Sequence, residues 1–135
     1  MDVVLFPDAV AVACTWLADQ LDDRDAAAPV FPRIPTDRPA RFVVVQRTGG
    51  ERLNIVADDP VLTIDCYDTV EEDAHDLAQL VRGLMYAMRG QVVAGTTVYR
   101  VQEAAGPALL PDSLTDGPRY TQTFQVAMRG GVEST

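Results

Sequence analysis

The sequence predicts an α+β fold: a mostly antiparallel β-sheet with two helices packed on one face. Two stretches repeat apolar residues at helical spacing, and several others alternate or run apolar over strand lengths. The strands also differ cleanly in polarity between their two faces, which suits a sheet covered by helices on one side only.

The first helix is expected over Pro7 to Leu21. Pro7 suits a first turn, Asp8 complements the positive helix start, and Val10, Cys14, Leu17 and Leu21 form a stripe. Val12 and Trp16 widen that stripe into an arc broad enough to suggest cover on more than one side. Residues 22–41 form a connection with prolines at 29, 32, 35 and 39, in which Val30 to Pro35 is an edge strand at best. Phe42 to Arg47 reads as a strand, Thr48-Gly49-Gly50-Glu51 as a hairpin turn, and Arg52 to Val56 as a weak return. Val61 to Tyr67 alternates, with Leu62, Ile64 and Cys66 on one face and Thr63 and Asp65 on the other.

The second helix starts at a capping box of Thr69 and Glu72, with Glu71 and Asp73 in its first turn. Val70, Ala74, Leu77, Ala78, Val81, Leu84, Met85 and Met88 share its apolar face, and Gly90 is a natural stop. Thr97 to Gln102 and Arg119 to Arg129 complete the sheet. Between them residues 104–118 form a long loop carrying Leu109, Leu110 and Leu114. Long connections in compact domains are usually functional, and these leucines favour a partner surface over a loop folded onto its own core.

A chain of 135 residues fits one domain, expected to span residues 1–135. The formal net charge is −9, and all 11 basic residues are Arg. Binding to phosphate backbones uses clustered cations, so specific nucleic-acid binding is not expected; like charge would instead let DNA pass without adhesion. Cys14 and Cys66 lie on apolar faces outside any metal-type spacing and read as buried thiols. The N-terminal apolar run is broken by Pro7 and Asp8 and lacks a basic start, so neither a signal peptide nor a membrane span is expected.

No catalytic, cofactor-binding or metal-binding set emerges, and the chain is read as not an enzyme. His75, the single histidine, sits among carboxylates but off the apolar face of its helix, where a solvated residue is the plainer reading. Asp65, Asp68, Glu71, Glu72, Asp73 and Asp76 lack the loop pattern of a calcium site and fit helix-start electrostatics. Asp58-Asp59-Pro60, which with Glu51 would make an acid/base couple, reads as a turn. Gly49-Gly50 is too short to cradle a phosphate, and Ser113 stands in no GxSxG setting.

The signatures nevertheless fall in a suggestive order. Phe6-Pro7-Asp8 opens a helix, and Arg41 to Gly50 follows a Pro-rich segment. The helix Ala74 to Arg82, Val98-Tyr99-Arg100-Val101, Gly106-Pro107, Leu110-Pro111-Asp112 and Pro118-Arg119-Tyr120 then succeed one another. Taken together this set, over residues 5–130, resembles the tail terminator proteins of long-tailed phages infecting high-GC, actinobacteria-like hosts. The resemblance implies a structural virion protein of the tail and neck, assembled in the host cytoplasm. It implies a homohexameric ring that ends the tail tube, contacts the major tail tube protein and docks on the head-side connector or stopper, with genomic DNA passing through its lumen. It carries over no catalytic residue and no cofactor, and no membrane contact is expected. The interface candidates come from the residues themselves: Thr48, Gly49, Gly50 and Glu51 in the turn, and Leu109, Leu110 and Leu114 in the loop. Another neck or head-completion subunit, or a small bacterial accessory or ligand-binding domain, remains the competing reading.

Overall fold

The computed structural model describes residues 1–134. Its elements run β1 (Asp2–Leu5), α1 (Ala9–Asp23), β2 (Val30–Phe31), β3 (Phe42–Arg52), β4 (Ala57–Tyr67), α2 (Glu71–Ala87), β5 (Val92–Val93), β6 (Thr96–Leu109), β7 (Arg119–Arg129) and β8 (Gly131–Ser134). Six strands form a sheet in the order β2-β3-β4-β7-β6-β5, antiparallel except where β2 runs alongside β3. β1 and β8 pair antiparallel as a separate ribbon. The expected α+β fold is the observed one.

Strand alternation places the core. Val43 and Val45, then Leu62, Ile64 and Cys66, then Phe124, Val126 and Met128 point to one face, where both helices cover them. Leu77, Ala78, Val81 and Met85 from α2 and Ala13, Leu17 and Leu21 from α1 fill the same cluster. The opposite face is largely wet, except where Phe42, Val44 and Tyr67 pack with Phe31. Across its middle a row of hydroxyls links β3, β4 and β7, with Thr48 to Thr63 at 2.9 Å and Thr63 to Thr123 at 3.3 Å.

The wide apolar arc of α1 is covered on more than one side, as expected: Val12 is buried, and Trp16 is half-buried with Nε1 donating to the Leu84 carbonyl of α2 at 2.7 Å. Several other expectations need correction. The helix starts after Asp8, whose carboxylate accepts from the Ala11 N–H at 3.1 Å. The Thr69–Glu72 capping box does not form. Asp68 takes the Thr69 N–H at 2.7 Å, and Val70 becomes the N-cap with no side-chain bond.

The supposed turn Thr48-Gly49-Gly50-Glu51 is strand. β3 continues through it with a bulge at Thr48, which absorbs one residue and keeps the pairing with β4 intact. The chain reverses instead at residues 53–56, where the Asn54 side-chain oxygen accepts from the N–H groups of Val56 and Ala57, both at 2.9 Å. Asp58-Asp59-Pro60 therefore lies within β4, and Pro60 is tolerated because the ladder to β7 is interrupted between Asp58 and Val61. The loop expected over 104–118 is shorter. β6 carries on through Leu109 by shifting register against β7, leaving 110–118 as the connection.

Candidate functional site

β7 pairs with β4 so that Arg119 stands opposite Tyr67 and Arg129 opposite Ala57. The connection 110–118 and the hairpin tip 53–56 therefore lie at opposite ends of the sheet. The candidate residues are accordingly not brought together: Leu109, Leu110 and Leu114 belong to one end, while Thr48 to Glu51 run toward the other along the edge of β3.

At the first end the leucines are surface groups, with Leu109 39%, Leu110 50% and Leu114 81% exposed. The connection that carries Leu110 and Leu114 is closely held. The N–H of Leu110 donates to the Arg119 carbonyl, and Arg119 Nε donates to the Leu110 carbonyl, both at 2.9 Å. Asp112 is buried, and its carboxylate accepts from Arg38 of the Pro-rich connection, from the Leu114 N–H and from the Thr115 hydroxyl. The Arg38 guanidinium, then burial opposing it, then the Leu114 and Thr115 bonds set the balance that holds the Asp112 carboxyl below the usual carboxylate range.

At the other end Thr48, Gly49, Gly50 and Glu51 are all exposed. Gly50 has φ +93°, and a Cβ there would stand 2.4 Å from the Asp59 carbonyl oxygen, so glycine is required. Beyond it Leu53, Ile55 and Val56 expose apolar side chains, as do Leu5 and Val132 on the β1–β8 ribbon. The ribbon is tied to the tip: the Gly130 N–H donates to the Val56 carbonyl at 2.7 Å, and the Arg52 guanidinium lies 4.9 Å from the Phe6 ring centre. Reading the sequence misses this apolar end. Each piece is short, and residues far apart in the chain meet only through strand pairing.

The titratable candidates are dispersed or already paired. Asp58 and Asp59 are buried beside arginines, with Arg47 to Asp58 at 2.9 Å and Arg100 to Asp59 at 3.0 Å, and Gln125 also donates to Asp59. Asp68 meets Arg41 at 3.1 Å. His75 is exposed, its ring edge-on to Tyr120 and its Nδ1 3.4 Å from Asp76. Among the described residues no group of three or more His, Cys, Asp or Glu is placed to hold a metal ion. Burial, with Asp8 nearby, pushes the Cys14 thiol up to about 11, and burial raises Cys66 further. Both are thiols near neutral pH, as small apolar groups should be. No helix is long and apolar enough to cross a membrane among the described residues.

What this arrangement offers is surface: two unlike ends with exposed apolar side chains on a firm sheet, the equipment of an assembly subunit. The comparisons give the family. Residues 4–134 match the family described as phage tail termination protein, so the chain belongs to that family and is a structural protein of the phage tail. A solved chain from the virion of a native gene transfer agent particle has the same fold, with TM-score 0.59 at 14% identity, covering 92% of this chain and 100% of that one. No curated protein matches the chain.

Proposed function

We propose that the protein is the single-domain subunit of a homohexameric ring that ends the tail tube and joins it to the head-side connector or stopper. The observation that carries this reading is the separation of two apolar ends along one sheet. A ring placed between a tail tube and a connector needs unlike surfaces toward its two neighbours, and this subunit has them. Contacts around the ring are heterologous, so they draw on two further, different patches; the exposed Thr48 to Glu51 edge is one candidate. The net charge of −9 suits a passage through which genomic DNA slides without being gripped. The work is mechanical rather than catalytic, and assembly takes place in the host cytoplasm before the subunit becomes part of the virion neck.

The test is a double substitution, Leu110→Asp with Leu114→Asp, in a complementation assay. Both side chains are exposed, so the chain should fold normally by circular dichroism. Burying an unpaired carboxylate at a contact is costly, and tails joined to heads should be lost from electron micrographs. Wild-type numbers of infectious particles would overturn the assignment of this end to docking.

A further inference from the structure

The β1–β8 ribbon stands apart from the rest of the fold. Among the described residues neither strand joins the six-stranded sheet, and each has its main packing partner in the other. A two-stranded ribbon by itself is marginal in water, and this one leaves apolar surface open: Val3 is 39%, Leu5 51% and Val132 61% exposed. β1 is seated rather than buried. Val4 and Phe6 lie across Gly130 so closely that a Cβ there would stand 2.8 Å from either side chain. Everything that receives β1 lies elsewhere in the sequence: Gly130, the strand that follows it, and Arg52, whose guanidinium is 4.9 Å from the Phe6 ring centre.

The link from β1 to the domain is Phe6-Pro7-Asp8. It is short and stiff: the Pro7 ring sets its own φ, and Asp8 caps α1, which starts at Ala9. Beside it lies open space, a cleft of about 470 Å³ lined by Leu5, Phe6, Pro7, Thr96, Arg129 and Gly130. Short hinges invite exchange of the element beyond them between copies, and the cleft leaves this one room to swing.

We infer that in the ring β1 leaves its own β8 and pairs with β8 of the neighbouring copy. The occupant of that edge is given by the register: β8 pairs with β1 from Asp2 opposite Ser134 to Leu5 opposite Gly131, and a second copy of this chain brings the same strand. Exchange keeps every one of those pairings, so its cost is confined to the hinge and to bringing copies together. Within a ring the neighbour's strand is held at high local concentration, which lowers that cost. The contact is also of the kind a ring requires. β1 of one copy and β8 of the next are different patches, so the link runs head to tail and closes when the last copy reaches the first. The inference rests on the ring proposed above.

Val4 and Val132 stand opposite each other in the ribbon, a separation that suits a disulfide. The Val4→Cys/Val132→Cys chain therefore tests the exchange with one bond. Oxidised as free protein, it should close within the chain, run as a monomer in a non-reducing gel and fail to cap tails assembled in vitro. Reduction should restore capping. Assembled reduced and oxidised afterwards in purified particles, it should instead give covalent multimers up to a closed ring. Particles co-assembled from Val4→Cys and Val132→Cys single variants should yield disulfide dimers, and particles of either variant alone should not, which sets aside Cys14. Should the double variant misfold, the mixed single variants carry the experiment. Equal capping by the oxidised and reduced chains, or monomers alone from rings oxidised in place, would overturn the exchange and leave the ring standing. Wild-type tails that end in no ring of this protein by electron microscopy would remove the ring, and this inference with it.

Discussion

The two ends of the sheet solve one problem in opposite ways. Each exposes apolar side chains from a chain reversal, Leu110 and Leu114 at one end and Leu53, Ile55 and Val56 at the other. The connection 110–118 is braced from outside itself, by an arginine 74 residues away in sequence. The tip 53–56 is closed locally by the Asn54 side chain and leans on the ribbon through Gly130. A charged brace directs side chains firmly but depends on ionisation. The Asn54 turn itself uses no ionisable group and depends on backbone shape. The two ends should therefore fail under different insults.

The largest effect should come from below both ends. Leu77 is 1% exposed under the sheet, and Leu77→Ala should cost about 2–5 kcal/mol in a urea titration. That loss should loosen both ends alike. His75→Ala, on the exposed side of the same helix, should stay within about 0.5 kcal/mol. A costlier His75 change would overturn the placing of α2.

Gly50→Ala should come next and act on the tip alone. The left-handed backbone and the Asp59 carbonyl leave no room for a Cβ, so a loss of more than about 1 kcal/mol is expected. Nuclear magnetic resonance shifts should move along β3 and β4 near the tip and stay put at Leu114. Movement at both ends would mean that they are coupled through the sheet.

Acid should act on the other end. The Asp112 carboxyl is depressed chiefly by Arg38, so the stabilisation it adds is fully present above its ordinary carboxylate range. That contribution is lost as pH falls below the ordinary carboxylate range and through the depressed native value. Hydrogen exchange at Leu114, corrected for its intrinsic pH dependence, should show local opening there before Val56 and Ala57 change. Asn54, which has no ionisable group, holds those two amides. Simultaneous opening at both ends would erase the distinction.

Periodicity by itself determined the α+β class, both helices and the four long strands of the central sheet, while β5 escaped it. Burial follows side-chain direction, and direction is local: Leu62, Ile64 and Cys66, or Leu77, Ala78 and Val81, announce their faces within a few residues. The exposure of Leu110 and Leu114 was legible in the same way, as hydrophobicity that no local pattern could use. Tertiary structure decided what depends on meeting. Thr48-Gly49-Gly50-Glu51 resembles a turn, yet pairing with β4 makes it strand, because a bulge costs less than abandoning that ladder. Thr69 resembles a cap, yet Asp68 takes its N–H while also pairing with Arg41. The arc of α1 announces cover on more than one side, but only the fold decides that α2 provides part of it, through the Leu84 carbonyl to Trp16. The ribbon of β1 and β8 joins the two ends of the described chain, and Arg38 finds Asp112 only after the sheet has brought the Pro-rich connection beneath the turn. No short-range pattern encodes such pairs, since each side chain is satisfied by a partner whose position is set by everything folded between them.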